Sequence, residues 1–282
     1  MHTEHRFISF DETPIFYSWQ SALSSKKAVL ILMHGMGEHG GRYRPLSDYL
    51  ARLGLETYVP DLRGHGKSGG PRGHVNHWND FYRDLEALHL LAEKQNPGLP
   101  IFILGHSFGG LVAAGYITTR GTSPARASKI AGLVLSSPLF GIFGKVARWR
   151  HLLAIAASRL APRYTEKTRV NPASLTHDKL LLERYSRDPL IHYNISARLY
   201  AELTGLIQER EKIAKKLETP FLLLQAGDDR IVSKEAAVDF FNQAASGDKE
   251  MEIYDGFYHE ILNEIGRQAV FDRLEKWLLK HI

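Results

Sequence analysis

The chain has 282 residues, 44% hydrophobic and 24% charged, the proportions of a water-soluble globular protein with room for a large core. No cysteine is present, which excludes disulfides, thiol nucleophiles and cysteine-based zinc or iron–sulfur centres. The formal charge of +5 suits a solvated basic exterior or contact with an anionic lipid surface, and no nucleic-acid partner is expected from it.

The opening Met1-His2-Thr3-Glu4-His5-Arg6 lacks the apolar core of a secretory signal, and no apolar run is long enough to cross a bilayer. A cytoplasmic protein, at most peripheral at a membrane, is expected. Residues 7–10 and 15–19 flank Asp11-Glu12-Thr13-Pro14 and read as a β-hairpin. Residues 28–33 are continuously apolar, the pattern of a strand covered on both faces. The glycine-rich loop that follows, 34–43, lets backbone approach a ligand, and His34 is read as a buried histidine that shapes it. A helix over 45–53, closed by Gly54, precedes a strand over 56–59. Asp61 and Arg63 open a long turn, where an ion pair or a turn cap explains them better than chemistry does. Phe81, Leu85, Leu88 and Leu91 predict a helix over 78–93, and 101–104 and 130–138 read as buried strands.

From 139 to 216 the alternation of strand and helix stops, leaving only helical patterns broken by Pro162, Pro172 and Pro189. This stretch is expected to be a helical cap over the carboxyl ends of the strands, where open α/β sheets bind ligands. Within it, 145–156 is basic and apolar at helical spacing. It suits a cap helix with its apolar face on the site, compatible with transient contact at a membrane surface. Strands over 220–225 and 251–254 and helices over 234–245 and 267–280 complete the chain. No repeat is visible, and no Gly-x-Gly-x-x-Gly opens a helix directly after a strand, so a dinucleotide fold matches poorly. The expected architecture is an α/β fold with a mostly parallel central sheet and helices on both faces. Its core would be 1–138 and 217–282, with the cap at 139–216.

The chain is organised around Gly105-His106-Ser107-Phe108-Gly109, between the 101–104 strand and a following helix. A strand that turns sharply into a helix strains the apex residue and pushes its side chain clear of the sheet. The positions two before and two after come too close for side chains, which suits Gly105 and Gly109. The N–H of Phe108 lies at the helix N-terminus, unpaired and able to face a developing anion. The 34–43 loop would supply a second donor, the N–H of Met36. This arrangement is the nucleophile elbow of α/β-hydrolases, whose chain order is serine, acid, histidine. A serine hydroxyl needs a base. Here Ser107 is followed by Asp228 and Asp229 past one strand end and by His259 past the last strand. His259 is expected to be the base and Asp229 the carboxylate that orients it, with Asp228 capping the loop.

Longer motifs carry a resemblance. His34-Gly35-Met36-Gly37-Glu38-His39 with Arg42-Tyr43, Asp61-Leu62-Arg63-Gly64-His65-Gly66-Lys67-Ser68, and the elbow resemble the monoacylglycerol lipase and lysophospholipase group of α/β-hydrolases. Asp188-Pro189-Leu190 with Ile195-Ser196-Ala197-Arg198-Leu199, Leu223-Leu224-Gln225 with Asp229-Arg230, and Tyr258-His259-Glu260 extend the likeness to the C-terminus. The resemblance implies that the carboxylate before the arginine, Asp229, is the catalytic one, and that the oxyanion donors are the N–H groups of Met36 and Phe108. Phe108 stands where methionine is common in that group.

The expected activity is hydrolysis of a single-chain lipid ester without cofactor or metal. The resemblance implies monoacylglycerol first and lysophospholipid second, and a positive pocket near Arg148 or Arg198 would favour the phosphate-bearing substrate. An aminopeptidase of the same fold would need acidic cap residues such as Glu166, Asp178 and Glu183 to hold an ammonium group. A non-catalytic receptor would have no need of the whole constellation. Oligomeric state leaves no mark in the residues.

Overall fold

A computed structural model of the chain describes residues 1–119, 130–144, 147–168 and 170–282. Its strands are β1 (His2–Ile8), β2 (Pro14–Gln20), β3 (Ala28–Met33), β4 (Leu55–Pro60), β5 (Ile101–His106), β6 (Ile130–Ser136), β7 (Thr165–Lys167), β8 (Asn194–Ser196), β9 (Phe221–Ala226) and β10 (Lys249–Tyr254). Its α-helices are α1 (Arg44–Arg52), α2 (Asn79–Gln95), α3 (Phe108–Thr119), α4 (Arg148–Leu160), α5 (Lys179–Arg187), α6 (Ala197–Gln208), α7 (Arg210–Lys216), α8 (Lys234–Gln243) and α9 (Arg267–His281).

Eight strands form one sheet in the order β1-β2-β4-β3-β5-β6-β9-β10. The pairings β1–β2 and β2–β4 are antiparallel and the rest are parallel. Parallel neighbours need crossovers, and the crossover helices cover both faces. Strand alternation sorts the side chains. Val29, Ile31 and Met33 of β3 and Ile101 and Ile103 of β5 enter one core with α2, α3, α7 and α8. Ala28, Leu30, Leu32, Phe102 and Leu104 enter the other, with α1 and α9. The expected mostly parallel sheet between two helical layers is the fold the chain adopts.

Departures from expectation have local causes. β1 ends at Ile8, before Phe10, because the Ser9 N–H bonds the Thr13 carbonyl and Glu12 turns at φ +63°. The stretch 139–216, expected to hold no strand, contains the antiparallel pair β7–β8, whose three-residue strands are too short to leave a pattern. Within it, α4 and α6 pack on each other, while α7 packs on α3 and α8 and places Ile213 and Ala214 in the main core. Lys145 and Val146, which open the basic apolar stretch, lie outside the described residues. Gly35, Gly37 and Gly40 do spell Gly-x-Gly-x-x-Gly after β3, but α1 begins only at Arg44. The Glu38 carboxylate bonds the loop's own backbone, at the N–H of Gly35. No helix among the described residues is long and apolar enough to cross a membrane.

Candidate active site

β5 ends at His106 and α3 begins at Phe108, so Ser107 alone makes the turn. Its φ is +52°, a left-handed conformation that costs a residue with a side chain about 1 kcal/mol or more. Surrounding bonds hold it there. The Ser107 N–H donates to the Ser136 carbonyl at 2.9 Å, and the Ser107 carbonyl accepts from the N–H groups of Gly110 and Leu139, each at 3.0 Å. A Cβ at Gly105 would run into the Gly109 carbonyl, and one at Gly109 into the carbonyls of Met33 and His34. Contact, rather than backbone freedom, demands glycine at both positions.

The structure brings Ser107, His259 and Asp229 together. Ser107 Oγ lies 2.9 Å from His259 Nε2, and His259 Nδ1 lies 2.8 Å from Asp229 Oδ2. All three residues are buried. The second oxygen of Asp229 accepts from the N–H groups of Ile231 and Val232, both at 2.9 Å. The loop-capping task expected of Asp228 therefore falls to Asp229. Asp228 is exposed, and its backbone N–H donates to the Phe257 carbonyl at 3.0 Å. Burial works against a charged His259, but the adjacent Asp229 carboxylate outweighs it and holds the ring above its ordinary pKa of 6.5. Burial likewise opposes the Asp229 charge, and His259 with the two backbone donors reverses this, leaving the carboxyl below its usual range. An ionised Asp229 can only accept, so Nδ1 carries the imidazole proton and Nε2 is free to accept from the Ser107 hydroxyl.

The loop after β3 lies against the elbow, since a Cβ built on Gly35 would sit 3.5 Å from that of Ser107. The N–H groups of Met36 and Phe108 find no acceptor among the described residues. His34 is buried and shapes the loop, as expected. Its Nε2 accepts from the Leu62 N–H at 2.9 Å and its Nδ1 bonds the Gly35 carbonyl at 2.7 Å. Asp61 and Arg63 are structural, with separate partners. Asp61 accepts from the N–H groups of Gly40 and Lys67 at 2.7 and 2.6 Å, while Arg63 forks onto Asp84 at 2.6 and 2.7 Å and reaches Asp11 at 2.9 Å.

Four further residues surround His259 whose roles the sequence did not reveal. Glu38 accepts from the Gly35 N–H and the Tyr43 hydroxyl, both at 2.6 Å, and pairs with Arg42. Arg42 forks onto Glu260 at 2.7 and 2.6 Å. His106 faces His259 with ring centroids 4.9 Å apart, and burial, with the His259 charge, pushes it down to about 3, so it stays neutral. The i,i+4 spacing of Glu38 and Arg42, and the place of Glu260 next to His259, were the available signals.

Ser107, Met36 and His259 line a cavity of about 940 Å³. Its walls are largely apolar, with Leu139, Phe143, Trp149, Leu153, Ile195 and Leu203 among them, and Arg150, Lys167 and Arg230 supply cationic groups. Arg148 lines a separate groove of about 430 Å³ walled by α4 and α6, and Arg198 faces Glu202 at 3.8 Å. Asp178 caps α5 by accepting from the N–H groups of Leu180 and Leu181 at 3.0 and 3.1 Å. Glu183 pairs with Arg187 at 2.8 Å on the surface, and Glu166 lines the cavity.

Known proteins resemble this chain in sequence and fold along nearly its whole length. The family model described as serine aminopeptidase, S33, matches residues 24–266. A monoacylglycerol lipase of Mycolicibacterium smegmatis is 28% identical over 99% of this chain and 98% of its own length. The phospholipase YtpA of Bacillus subtilis is 31% identical over 90% of this chain and 95% of its own. The crystal structure of Paleococcus ferrophilus monoacylglycerol lipase superposes with a TM-score of 0.85 at 29% identity, covering 95% of this chain and 99% of that one. The fold has its counterpart in sequence relatives of matching length, and the chain belongs to the serine aminopeptidase S33 family, within the monoacylglycerol lipase group of α/β-hydrolases, as a carboxylester hydrolase.

Proposed function

We propose that this enzyme hydrolyses the ester of a single-chain lipid, monoacylglycerol foremost. Ser107 is the nucleophile, His259 the general base and Asp229 its orienting carboxylate. The N–H groups of Met36 and Phe108 are the oxyanion hole. The observation that carries this reading is the hydrogen-bonded chain from Ser107 through His259 to Asp229, opening into a largely apolar cavity. His259 Nε2 takes the hydroxyl proton as Ser107 Oγ attacks the ester carbonyl carbon. The carbonyl oxygen becomes an anion facing two unpaired N–H donors, and the imidazolium then protonates the departing glycerol oxygen. Water, deprotonated by the same nitrogen, attacks the acyl-enzyme and releases the fatty acid. Apolar walls gain ~0.8 kcal/mol for each acyl methylene they bury.

Arg148 and Arg198, the two cations whose presence in the pocket would have favoured a phosphate-bearing head group, both lie off the cavity wall. Arg150, Lys167 and Arg230 in that wall support a lysophospholipid as the second reading. Of the three acidic residues an aminopeptidase would call on, Asp178 and Glu183 are engaged by a helix N-terminus and by Arg187, which leaves Glu166 alone on the cavity wall to hold an ammonium group. The cap reading of 139–216 rests on α4 and β8 lining the cavity above the core. Exposed Phe143, Trp149, Leu152, Leu153 and Leu160, among Arg148, Arg150 and Arg159, support transient contact of that cap with a lipid surface. The test is head-group release from 1-monoacylglycerol and lysophosphatidylcholine of one acyl chain. Faster glycerol release supports the first substrate, faster glycerophosphocholine release the second, and turnover of an aminoacyl arylamide in place of both overturns the reading.

A further inference from the structure

The buried triad Glu38–Arg42–Glu260 joins the two loops on which the proposed chemistry depends. Arg42 lies between them, forked bidentately onto Glu260 and paired with Glu38. Both carboxylates and the guanidinium are at least nine-tenths buried at the side chain. Such an ion cluster is costly to desolvate and weak evidence for stability by itself. Its placement gives it a different use.

We infer that Glu38, Arg42 and Glu260 are positioning residues that lock the oxyanion loop to the loop of the base and set the negative charge against which His259 titrates. The inference rests on the reading of His259 as the base. One Glu38 oxygen accepts the Gly35 N–H at 2.6 Å, so the peptide just before the one carrying the Met36 N–H is fixed by a charged acceptor. On the far side, the Gly37 carbonyl accepts the His192 N–H at 2.9 Å, and Gly37 holds φ +79°. The Met36 N–H is therefore pinned from both flanks, by Glu38 and by the cap. Glu260 follows His259 directly, so the same guanidinium that restrains Glu38 restrains the base loop. The Arg42 guanidinium also lies 4.8 Å from the ring centre of Tyr185 on α5, which ties the cluster to the cap.

The charged groups facing His259 are Asp229 and Arg230 from the loop after β9, His106 from β5, Glu38 and Arg42 from the segment after β3, and Glu260 from its own loop. Arg230 is exposed and lies over the Tyr258 ring at 4.9 Å, and His106 is neutral. Three buried carboxylates thus stand against one buried guanidinium. Glu38 and Glu260 add to the effect of Asp229 in favouring the imidazolium.

The pH dependence of kcat/KM on a soluble short-chain ester, between about pH 5 and 9, tests this in the full chain. Glu38→Gln and Glu260→Gln each remove one negative charge while keeping an acceptor oxygen. Each should move the acid limb to lower pH by roughly half to one unit. Arg42→Lys keeps the charge but loses the fork, and should leave the limb in place while lowering kcat by roughly tenfold or more with KM little changed. Thermal unfolding identifies any variant that fails to fold. Titration of the His259 ring by NMR in Ser107→Ala, with either glutamine variant, then gives the same shift without turnover. An unmoved limb and an unmoved ring titration in a folded glutamine variant overturn the inference, as does wild-type kcat in Arg42→Lys. Failure of the reading it rests on looks different: Ser107→Ala would remain active, or the wild-type profile would have no acid limb.

Discussion

Asp229 divides its two oxygens between two tasks. One holds His259 in the tautomer that accepts from Ser107, and the other caps the turn at Ile231 and Val232. In Asp229→Asn the amide oxygen can keep the turn, while the amide nitrogen faces His259 Nδ1 as a donor and imposes the wrong tautomer. The expected result is a fall in kcat/KM of roughly 10³–10⁴-fold with little change in melting temperature. The pH profile follows from the same contacts. In the proposed mechanism the base must be neutral, and His259 is held above 6.5, so wild-type activity should be half lost at a pH above 6.5 as acid is added. A half-point well below that value would contradict the Asp229 contact. Ser107, Asp229 and His259 were legible because each follows a strand end in the expected chain order. The Glu260 partnership was not, because it joins Arg42 to a residue 218 positions away, a distance no local pattern spans. The capping duty of Asp229 was hidden for a related reason: adjacent aspartates look alike until the turn assigns their backbone donors.

At the scale of elements, the elbow is the most demanding feature. Gly109 packs its Cα against the backbone of β3 and the residue after it, and no flexible side chain is there to give way. Gly109→Ala should cost about 3 kcal/mol or more, read as a lower urea midpoint at unchanged slope, whereas unaltered stability would show that the strand and helix have room to separate. The continuous apolar runs of β3, β5, β6 and β9 announced buried parallel strands, and the amphipathic spacing of α2 and α9 announced helices on the sheet. The stretch 139–216 was less legible. Of its two short strands, β8 is held by tertiary bonds, with the Ser196 N–H on the Gly73 carbonyl and the Ser196 hydroxyl on His74, and β7 pairs with it. Helix α7 joins the main core through Ile213 and Ala214, which sequence periodicity in seven residues could not reveal.

Across the whole molecule, two cores lie on opposite faces of the sheet, and, while some exposed apolar side chains are spread over the surface, others cluster in the stretch 139–216 at Ile142, Phe143, Trp149, Leu152, Leu153 and Leu160. Leu152 and Leu160 are exposed there and lie off the wall of the main cavity. Replacing both by serine should reduce sedimentation with anionic lipid vesicles while leaving hydrolysis of a soluble ester unchanged. Added salt should weaken the wild-type association through its arginines. Equal sedimentation of both proteins would show that Leu152 and Leu160 take no part in lipid contact. The decisive measurement is glycerol release from a long-chain 1-monoacylglycerol by the wild-type chain and by Ser107→Ala. Rapid release by the wild type, lowered by roughly 10⁵-fold or more in a folded Ser107→Ala variant, is the expected result. Release by the variant within tenfold of wild type would show that Ser107 is not the nucleophile.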